Sequence, residues 1–276
     1  MTETVKTRAQ PGWPVDGHVH FHRPERVPET LDAAAENFRK VSGRSSGLLG
    51  ALLLTQAAGE RVFEHMAARQ SLAHWAFEPV ASEPQSLIAR KGGAAVAVIC
   101  GRQVRAQHGL EVLGLGTLQE FPDGESLADT VAAVTASGAL VALPWGFGKW
   151  WGDRGRLVDQ TLRSAGARRL SVGDNGGRLA LLAPPARITE FAREGFRVIP
   201  GTDPFPFARD YRRAGGFGFF AGVAAEETAP WGTLRAWLEA LTESPPSFGK
   251  ACGPIRFVAN QVGIQFYNRF FRSATR

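Results

Sequence analysis

Residues 15–22 read VDGHVHFH, and the fold that the sequence predicts depends on the alternation of apolar and polar residues in this stretch. Apolar residues or glycine alternate with Asp16, His18, His20 and His22. Because successive side chains of a strand point to opposite faces, the four polar side chains share one face. Imidazoles two residues apart on that face converge on one cation, and such a face is costly to bury without a partner. The stretch therefore predicts a barrel strand that presents a metal site.

The composition is that of an ordinary globular protein. The chain has 276 residues, of which 44% are hydrophobic and 21% are charged, and this is enough for one large core. The start of the chain lacks the apolar core of a signal peptide, so we predict a polar tail over residues 1–13 and a single domain over residues 14–276. No run approaches the roughly 18 uncharged apolar residues that span a bilayer, and no membrane span is predicted.

Charge and cysteine content limit the partners and the compartment. A net charge of +6 favours anionic ligands, but the arginines are dispersed and no basic run predicts specific nucleic-acid binding. The two cysteines, Cys100 and Cys252, argue against a disulfide framework and favour the reducing cytoplasm, with both thiols buried as small hydrophobic groups. The oligomeric state is left open.

Short β-rich runs alternate with amphipathic segments of helical length, which predicts parallel strands joined by crossover helices. We therefore expect an α/β fold, a distorted (β/α)7–8 TIM-like barrel. The alternation breaks once: two apolar runs flank Lys91-Gly92-Gly93, which predicts a β-hairpin inserted around residues 73–108. The predicted strands are 15–21, 50–56, 110–116, 139–145, 169–174 and 196–203, with a weaker one at 215–222.

Three acidic residues lie at the ends of predicted strands, and strand ends are where barrels gather their active sites. Glu111 lies near the start of one strand, and Asp174 and Asp203 each end another. Each has a structural alternative: Glu111 could pair with Arg105, Asp174 could belong to an ordinary turn, and Asp203 could cap a following helix. Their positions make all three candidates for metal binding or acid–base chemistry.

The stretches HVHFH, GLEVLGLG, SGALVALPWG and GTDP occur in this order over residues 14–205. Together they resemble the polymerase-and-histidinol-phosphatase (PHP) family, which lies near the amidohydrolase superfamily. The resemblance implies a distorted barrel that binds more than one metal ion and hydrolyses phosphoesters. Carried over residue by residue, it implies that His18, His20, Glu111 and Asp203 are metal ligands.

The sequence departs from the family pattern at two metal-binding motifs. Pro144-Trp145 stands where the family has a His-Pro pair, and Asp203 is followed by Pro204 where the family has Ala-His. No histidine follows His108. The sequence therefore predicts a reduced, one-metal set of two histidines and two carboxylates, to which Asp174 could add a ligand. Such a mixed set suits a divalent metal such as zinc, manganese or iron.

These patterns favour a metal-dependent hydrolase that acts on a small anionic substrate, a phosphoester in preference to an amide. Asp174 is the candidate general base. Lys149 and Arg178 follow predicted strands at the catalytic end and are candidate binders of the anionic group, although each could instead be a solvated surface charge. Two alternatives stay open: a non-catalytic PHP-like protein with an eroded metal site that binds a ligand or partner, and an amidohydrolase-type C–N hydrolase.

Overall fold

The computed structural model describes residues 12–166, 169–179, 184–206 and 209–253 of the chain. Within these ranges the chain forms two mixed β-sheets, of eight and five strands, and six α-helices. Of the tail predicted over residues 1–13, residues 1–11 lie outside the described ranges, and the first strand begins at Trp13. Among the described residues, none of the helices combines the length and the apolar character needed to cross a membrane.

The elements follow one another along the chain with strands and helices interspersed. The strands are β1 (Trp13–Val19), β2 (Gly47–Leu54), β3 (Ser71–Leu72), β4 (Trp75–Pro79), β5 (Ser86–Lys91), β6 (Ala94–Ile99), β7 (Gly101–Arg105), β8 (Glu111–Leu115), β9 (Leu140–Trp145), β10 (Leu170–Asp174), β11 (Arg197–Pro200), β12 (Phe217–Ala221) and β13 (Ser247–Gly249). The helices are α1 (Val27–Ser42), α2 (Val62–Ala67), α3 (Leu127–Ala136), α4 (Gly152–Ala165), α5 (Ala186–Arg193) and α6 (Pro230–Ala240).

Local sequence accounts for where several helices begin and end. The Ser126 side chain accepts a hydrogen bond from the backbone N–H of Asp129 and so caps the first turn of α3. Helix α1 ends at Gly43, whose φ of 69° lies in the left-handed region that a glycine adopts without strain. These signals are local, which is why they can be read from short stretches of sequence.

The larger sheet has the strand order β13-β12-β1-β2-β6-β5-β4-β3. Its centre is parallel, because β2 runs parallel to both β1 and β6, and the pairs outside these three strands are antiparallel. Strand β2 (GLLGALLL) is buried over all but its first residue, and β6 (AAVAVI) is buried over its full length. Continuous apolar runs of this kind are typical of strands covered on both faces, which explains their central position.

The smaller sheet has the strand order β11-β10-β9-β8-β7. Strands β9, β10 and β11 are parallel, while β8 runs antiparallel to both of its neighbours, β7 and β9. The parallel part carries the segments that follow β10 and β11 at the same edge of the sheet. Asp174, Asp203 and their neighbours therefore lie near one another.

The prediction of a TIM-like barrel is wrong, because neither sheet closes on itself and β8 is antiparallel to its neighbours. The prediction that the segment around residues 73–108 is an inserted hairpin is wrong as well, although its two apolar runs do pair as antiparallel strands. Strand β6 pairs with β5 across Lys91-Gly92-Gly93, but it also pairs in parallel with β2 and is thus a central strand of the larger sheet. The apolar run shows that β6 is buried, but the run alone does not say which strand lies beside it.

Three apolar clusters hold these layers together. One contains residues of both sheets and of α6, a second packs α1 and α2 on the larger sheet, and a third packs α3, α4 and α5 on the smaller sheet. The sheets also meet through backbone hydrogen bonds: Gln56 N–H donates to Gly101 O at 3.0 Å, and Asp203 N–H donates to His18 O at 2.8 Å. The second bond brings the segment after β11 against the end of β1.

Candidate metal centre

The end of β1 lies so close to β11 and to the segment after β11 that only glycine fits at two positions. A Cβ atom at Gly201 would lie 2.6 Å from His18 Cβ, and a Cβ atom at Gly17 would lie 2.5 Å from Ile199 Cγ2. Both distances are well inside ordinary carbon–carbon contact. The two glycines therefore allow the close approach that sets Asp203 beside His18.

Four side chains converge where these segments meet. His18 Nε2 lies 3.2 Å from His20 Nε2, and Gln103 Oε1 lies 3.1 Å from the first nitrogen and 3.2 Å from the second. Asp203 Oδ1 lies 3.6 Å from both nitrogens. His18 is 2% exposed and His20 is 6% exposed, so the cluster faces the interior. His18, His20 and Asp203 form a group whose ligand atoms can hold one metal ion.

These separations match the edges of a tetrahedral coordination shell. A regular tetrahedron with metal–ligand bonds of about 2.0 Å has edges of roughly 3.3 Å. Five distances among these atoms, those that join His18 Nε2 and His20 Nε2 to each other and each of them to Gln103 Oε1 and Asp203 Oδ1, run from 3.1 to 3.6 Å. Two imidazole nitrogens, one carboxylate oxygen and one amide oxygen thus lie where ligands of a single ion would be.

Hydrogen bonds alone do not satisfy this arrangement. Three contacts join His18 Nε2, His20 Nε2 and Gln103 Oε1 in a triangle, and each imidazole nitrogen carries at most one hydrogen. If both rings donate to the amide oxygen, which can accept two hydrogen bonds, the contact between the two ring nitrogens has no hydrogen bond; if only one ring nitrogen is protonated, one contact joins two lone pairs. Rotating the amide so that its NH2 group faces the rings also leaves one contact without a hydrogen bond. A cation inside the triangle would accept a lone pair from each of the three atoms.

Asp203 is held in place by its backbone and by a neighbouring amide. Its φ of 42° lies in the left-handed region, which a residue other than glycine adopts only at a cost. Asn175 Nδ2 donates to Asp203 Oδ2 at 3.1 Å, which leaves Oδ1 turned toward the two imidazoles. Strain of this kind is maintained where the surroundings impose it, and it is concentrated at functional sites.

Asp16 is the first polar residue of the stretch VDGHVHFH, and its role is structural. Its carboxylate accepts hydrogen bonds from Thr202 N at 2.8 Å, Thr202 Oγ1 at 2.6 Å and Gly215 N at 2.8 Å. Burial raises the pKa of Asp16 to about 7, against these hydrogen bonds, which favour the charged form. Asp16 therefore joins β1 to the segment that carries Asp203 and is not a member of the cluster.

The electrostatics of the cluster favour metal-binding protonation states. Burial and then the neighbouring His18 lower the pKa of His20 to about 4, so its ring is neutral at neutral pH, as a metal ligand must be. Burial alone would raise the pKa of Asp203, but the charges of His18, His20, Lys149 and Arg213 outweigh it and lower this pKa. The site thus offers a neutral imidazole and an ionised carboxylate together.

The second ring nitrogen of each histidine, Nδ1, lacks a hydrogen-bond partner among the described residues. Both of these atoms, His18 Nδ1 and His20 Nδ1, are buried. The nearest carboxylate is Glu60, whose Oε2 lies 4.0 Å from His20 Nδ1. Carboxylates near this ring nitrogen commonly orient histidines that bind metal, so Glu60 lies on the correct side of His20 at slightly more than hydrogen-bond distance.

His22 shares the polar face but lies outside the cluster. Its Nε2 donates to Pro204 O at 2.7 Å, and its Nδ1 lies 3.7 Å from Glu60 Oε1. Its ring stacks on the ring of His20 with centroids 5.0 Å apart. His22 thus braces His20 and the loop after β11, and both of its ring nitrogens already face oxygen atoms.

The other four predicted site residues form two ion pairs. Lys149 Nζ lies 2.5 Å from Glu111 Oε2, and Arg178 Nε lies 3.0 Å from Asp174 Oδ2. Glu111 is absent from the group of described residues that could hold one metal ion. The structure therefore brings His18, His20 and Asp203 together, and it sets Glu111 and Asp174 each against a cation.

Sequence reasoning missed Gln103 and Glu60. Gln103 lies on β7, in the segment that was interpreted as an inserted hairpin, and its amide gives no metal-binding signature of its own. Its strand, GRQVR, alternates buried and more exposed residues only from Arg102 onward. Gln103 N–H donates to Gln56 O at 2.8 Å, so the residue is positioned by a contact between the two sheets. Neither residue belongs to a motif that spacing alone would identify.

Comparison with known proteins extends to the fold only. No model of a known protein family matches the chain, and no curated protein matches it. The chain is similar to the crystal structure of PsfC from Pseudomonas syringae PB-5123, with a TM-score of 0.57 and 15% sequence identity over 92% of this chain and 98% of that chain. At this identity the likeness shows a shared overall fold, and the resemblance to the PHP family stays a prediction.

Proposed function

We propose that this protein is a metal-dependent hydrolase with one divalent ion, zinc, manganese or iron, bound by His18, His20 and Asp203. The convergence of two imidazole nitrogens and one carboxylate oxygen within 3.2 to 3.6 Å of one another carries the proposal. Three protein ligands of this type are the usual set of a catalytic metal site, which keeps one position for water or substrate.

Each residue of the proposed site would have a separate role in binding the ion. A divalent ion bound here would supply a Lewis acid that polarises the scissile group and lowers the pKa of a coordinated water. His18 and His20 donate neutral nitrogen ligands, and Asp203 contributes one negative charge. Glu60, 4.0 Å from His20 Nδ1, adds a second negative charge close to the site, so the local charge suits a divalent cation.

The substrate in this proposal is a phosphoester. The overall positive charge of the chain supports an anionic substrate. We do not include Glu111 among the metal ligands or assign Asp174 as the general base. Each carboxylate already forms an ion pair, Glu111 with Lys149 and Asp174 with Arg178. Lys149 and Arg178 are neutralised in the same pairs, so neither is the first choice for holding the substrate. A cytoplasmic location remains part of the proposal, and both cysteines are buried.

One observation favours a second candidate, a binding protein without catalytic activity. Gln103 Oε1 lies 3.1 Å from His18 Nε2 and 3.2 Å from His20 Nε2, which is close enough for it to be a fourth ligand of an ion bound there. A site with four protein ligands is closed and is typical of structural metal centres. The hydrolase proposal therefore requires that water or substrate displace Gln103. The C–N hydrolase alternative stays a prediction.

Metal analysis tests the site first. The wild-type chain, purified without added metal and then titrated with zinc, is expected to bind one equivalent. The His18→Ala/His20→Ala variant is expected to bind none. A His74→Ala/His108→Asn variant is the matched control, because it also removes two imidazoles but from exposed positions. Equal zinc binding by the cluster variant and the control would refute the metal centre.

Turnover then separates the two candidates. Generic phosphomonoesters and phosphodiesters are offered to the wild type and to the cluster variant, each with zinc or manganese. Hydrolysis by the wild type alone supports the hydrolase. Stoichiometric zinc binding without hydrolysis of either class would decide for the binding protein.

A further inference from the structure

A pocket of about 140 Å³ lies directly beside the metal centre. One of its walls is His20, which is 6% exposed, and another is Arg23, which lies at the surface. Because the same pocket touches a buried candidate ligand and an exposed arginine, it extends from the surface to His20, the one member of the cluster that lines it.

The lining combines aromatic, apolar and polar groups. Phe205, Tyr211 and the rings of Pro204 and Pro206 line the pocket with His22, Thr30 and the largely buried Phe21. An apolar cavity of roughly 150 Å³ holds a benzene ring. The volume and the lining therefore fit one planar ring, with little room for a second.

The outer part of the pocket is basic. Arg23 and Arg26 both line it, and within the described part of the chain Arg23 makes no ion pair. Arg26 lies over the ring of Tyr211, with its guanidinium carbon 5.5 Å from the centroid, and its one carboxylate neighbour is Glu29 at 3.5 Å. Arg212 adds a third guanidinium on the same tyrosine ring, at 5.9 Å. The positive charge exceeds the negative charge here, so the mouth favours an anionic group.

We propose that this pocket binds a small molecule in which one aromatic or similarly planar ring carries an acidic group. In this proposal the ring lies against Tyr211, the acidic group meets Arg23 and Arg26, and the opposite end of the ring points toward His20. The inference rests on the proposed function for one step, the identification of this ligand as the substrate. It then narrows the substrate to a ring-bearing phosphoester with a second acidic group remote from the metal.

Binding of benzoate to the chelator-treated protein tests the pocket without any metal. Benzoate is compared with benzamide, which keeps the ring and loses the charge, and with acetate, which keeps the charge and loses the ring. We expect benzoate to bind with a Kd of about 1 mM, as befits a ligand of this size. Benzamide and acetate are each expected to bind at least about tenfold more weakly.

The variants test which residues are responsible. Arg23→Gln/Arg26→Gln is expected to weaken benzoate binding about tenfold or more and to leave benzamide binding unchanged. Arg193→Gln, on an exposed position of α5, is the matched control and is expected to bind like the wild type. Zinc binding by the double variant checks that its fold is retained.

Three results would overturn the inference: no benzoate binding at 10-fold the expected Kd, equal affinity for benzoate and for either analogue, or equal benzoate affinity in the double variant and the control. Zinc binding separates this inference from the proposed function. Benzoate binding without zinc binding would refute the hydrolase and keep the ligand class of the pocket. Zinc binding without benzoate binding would refute the ligand class of the pocket and keep the metal centre of the proposed hydrolase.

Discussion

Replacing Gly201 with alanine tests whether close contact between β1 and the segment after β11 builds the candidate metal centre. The new Cβ atom would lie 2.6 Å from His18 Cβ and 2.8 Å from His18 Cα. Carbon atoms pack best at about 3.5 Å or more, so the two segments must separate by roughly 1 Å. Both segments are well packed, so a shift of this size lowers the stability of the fold.

Two quantities follow from that shift. Overpacking of this kind lowers the free energy of unfolding by about 1–3 kcal/mol, which urea unfolding of the metal-free protein measures through its tryptophan fluorescence. The shift also moves Asp203 away from His18 and His20, which now lie 3.6 Å from its Oδ1. We expect the zinc affinity, measured by calorimetric titration, to fall at least about tenfold.

Gly93→Ala provides the control for this experiment. A Cβ atom at Gly93 would find its nearest neighbour, Ser46 Cβ, at an ordinary distance of 3.7 Å, so neither stability nor zinc affinity is expected to fall. The reasoning is refuted if Gly201→Ala matches Gly93→Ala in both measurements. A loss of stability with unchanged zinc affinity would show that the contact supports the fold but not the ligand geometry.

Three further predictions concern the ligand set, the pH dependence of stability and the sheet topology. Gln103→Leu is expected to weaken zinc binding about tenfold without destabilising the metal-free protein, because the two imidazoles can still share one hydrogen; an unchanged zinc titration would remove Gln103 from the ligand set. Burial opposes ionisation of Glu64, but its hydrogen bonds, including one from Arg102, lower its pKa in the fold. A lowered pKa adds stability above the unfolded-state value of about 4.3, and this stability is lost as the pH falls through the folded pKa. Urea unfolding at pH 7 and pH 4 should therefore show a smaller loss on acidification for Glu64→Gln than for the wild type, and an equal loss in both would contradict this account. Ile99→Ala in β6 is expected to lower the free energy of unfolding by about 2–5 kcal/mol, since the residue is fully buried in a central strand; a loss below 1 kcal/mol in the same assay would argue for a peripheral hairpin.

The histidine pair could be predicted from the sequence because the relevant contact is local. Strand alternation alone puts His18 and His20 on one face, and their Nε2 atoms lie 3.2 Å apart. Asp203 was identified as the acidic residue at a strand end, but its approach to the histidines depends on Gly17 and Gly201. The closeness of two distant segments is a property of the packed structure and leaves no trace in the local pattern.

The sheet topology could not be predicted for a related reason. The run AAVAVI of β6 and the run GLLGALLL of β2 are both buried, and both fit a central strand. Their mutual parallel pairing links positions 47–53 to 94–99. Periodicity indicates how deeply a strand is buried, whereas its neighbours are decided by how all strands pack together. Gln103 could not be predicted because its position depends on a contact between the two sheets, the hydrogen bond from its backbone N–H to Gln56 O.

The contact between β1 and the segment after β11 also determines when the candidate metal centre can form during synthesis. Thr202 and Asp16, which join the two segments, are 186 positions apart, and contacts this distant in sequence are entropically slow to close. A ribosome that adds residues from the N-terminus releases His18 and His20 long before Asp203 exists. The proposed metal centre is therefore expected to assemble late, after most of the chain has been made.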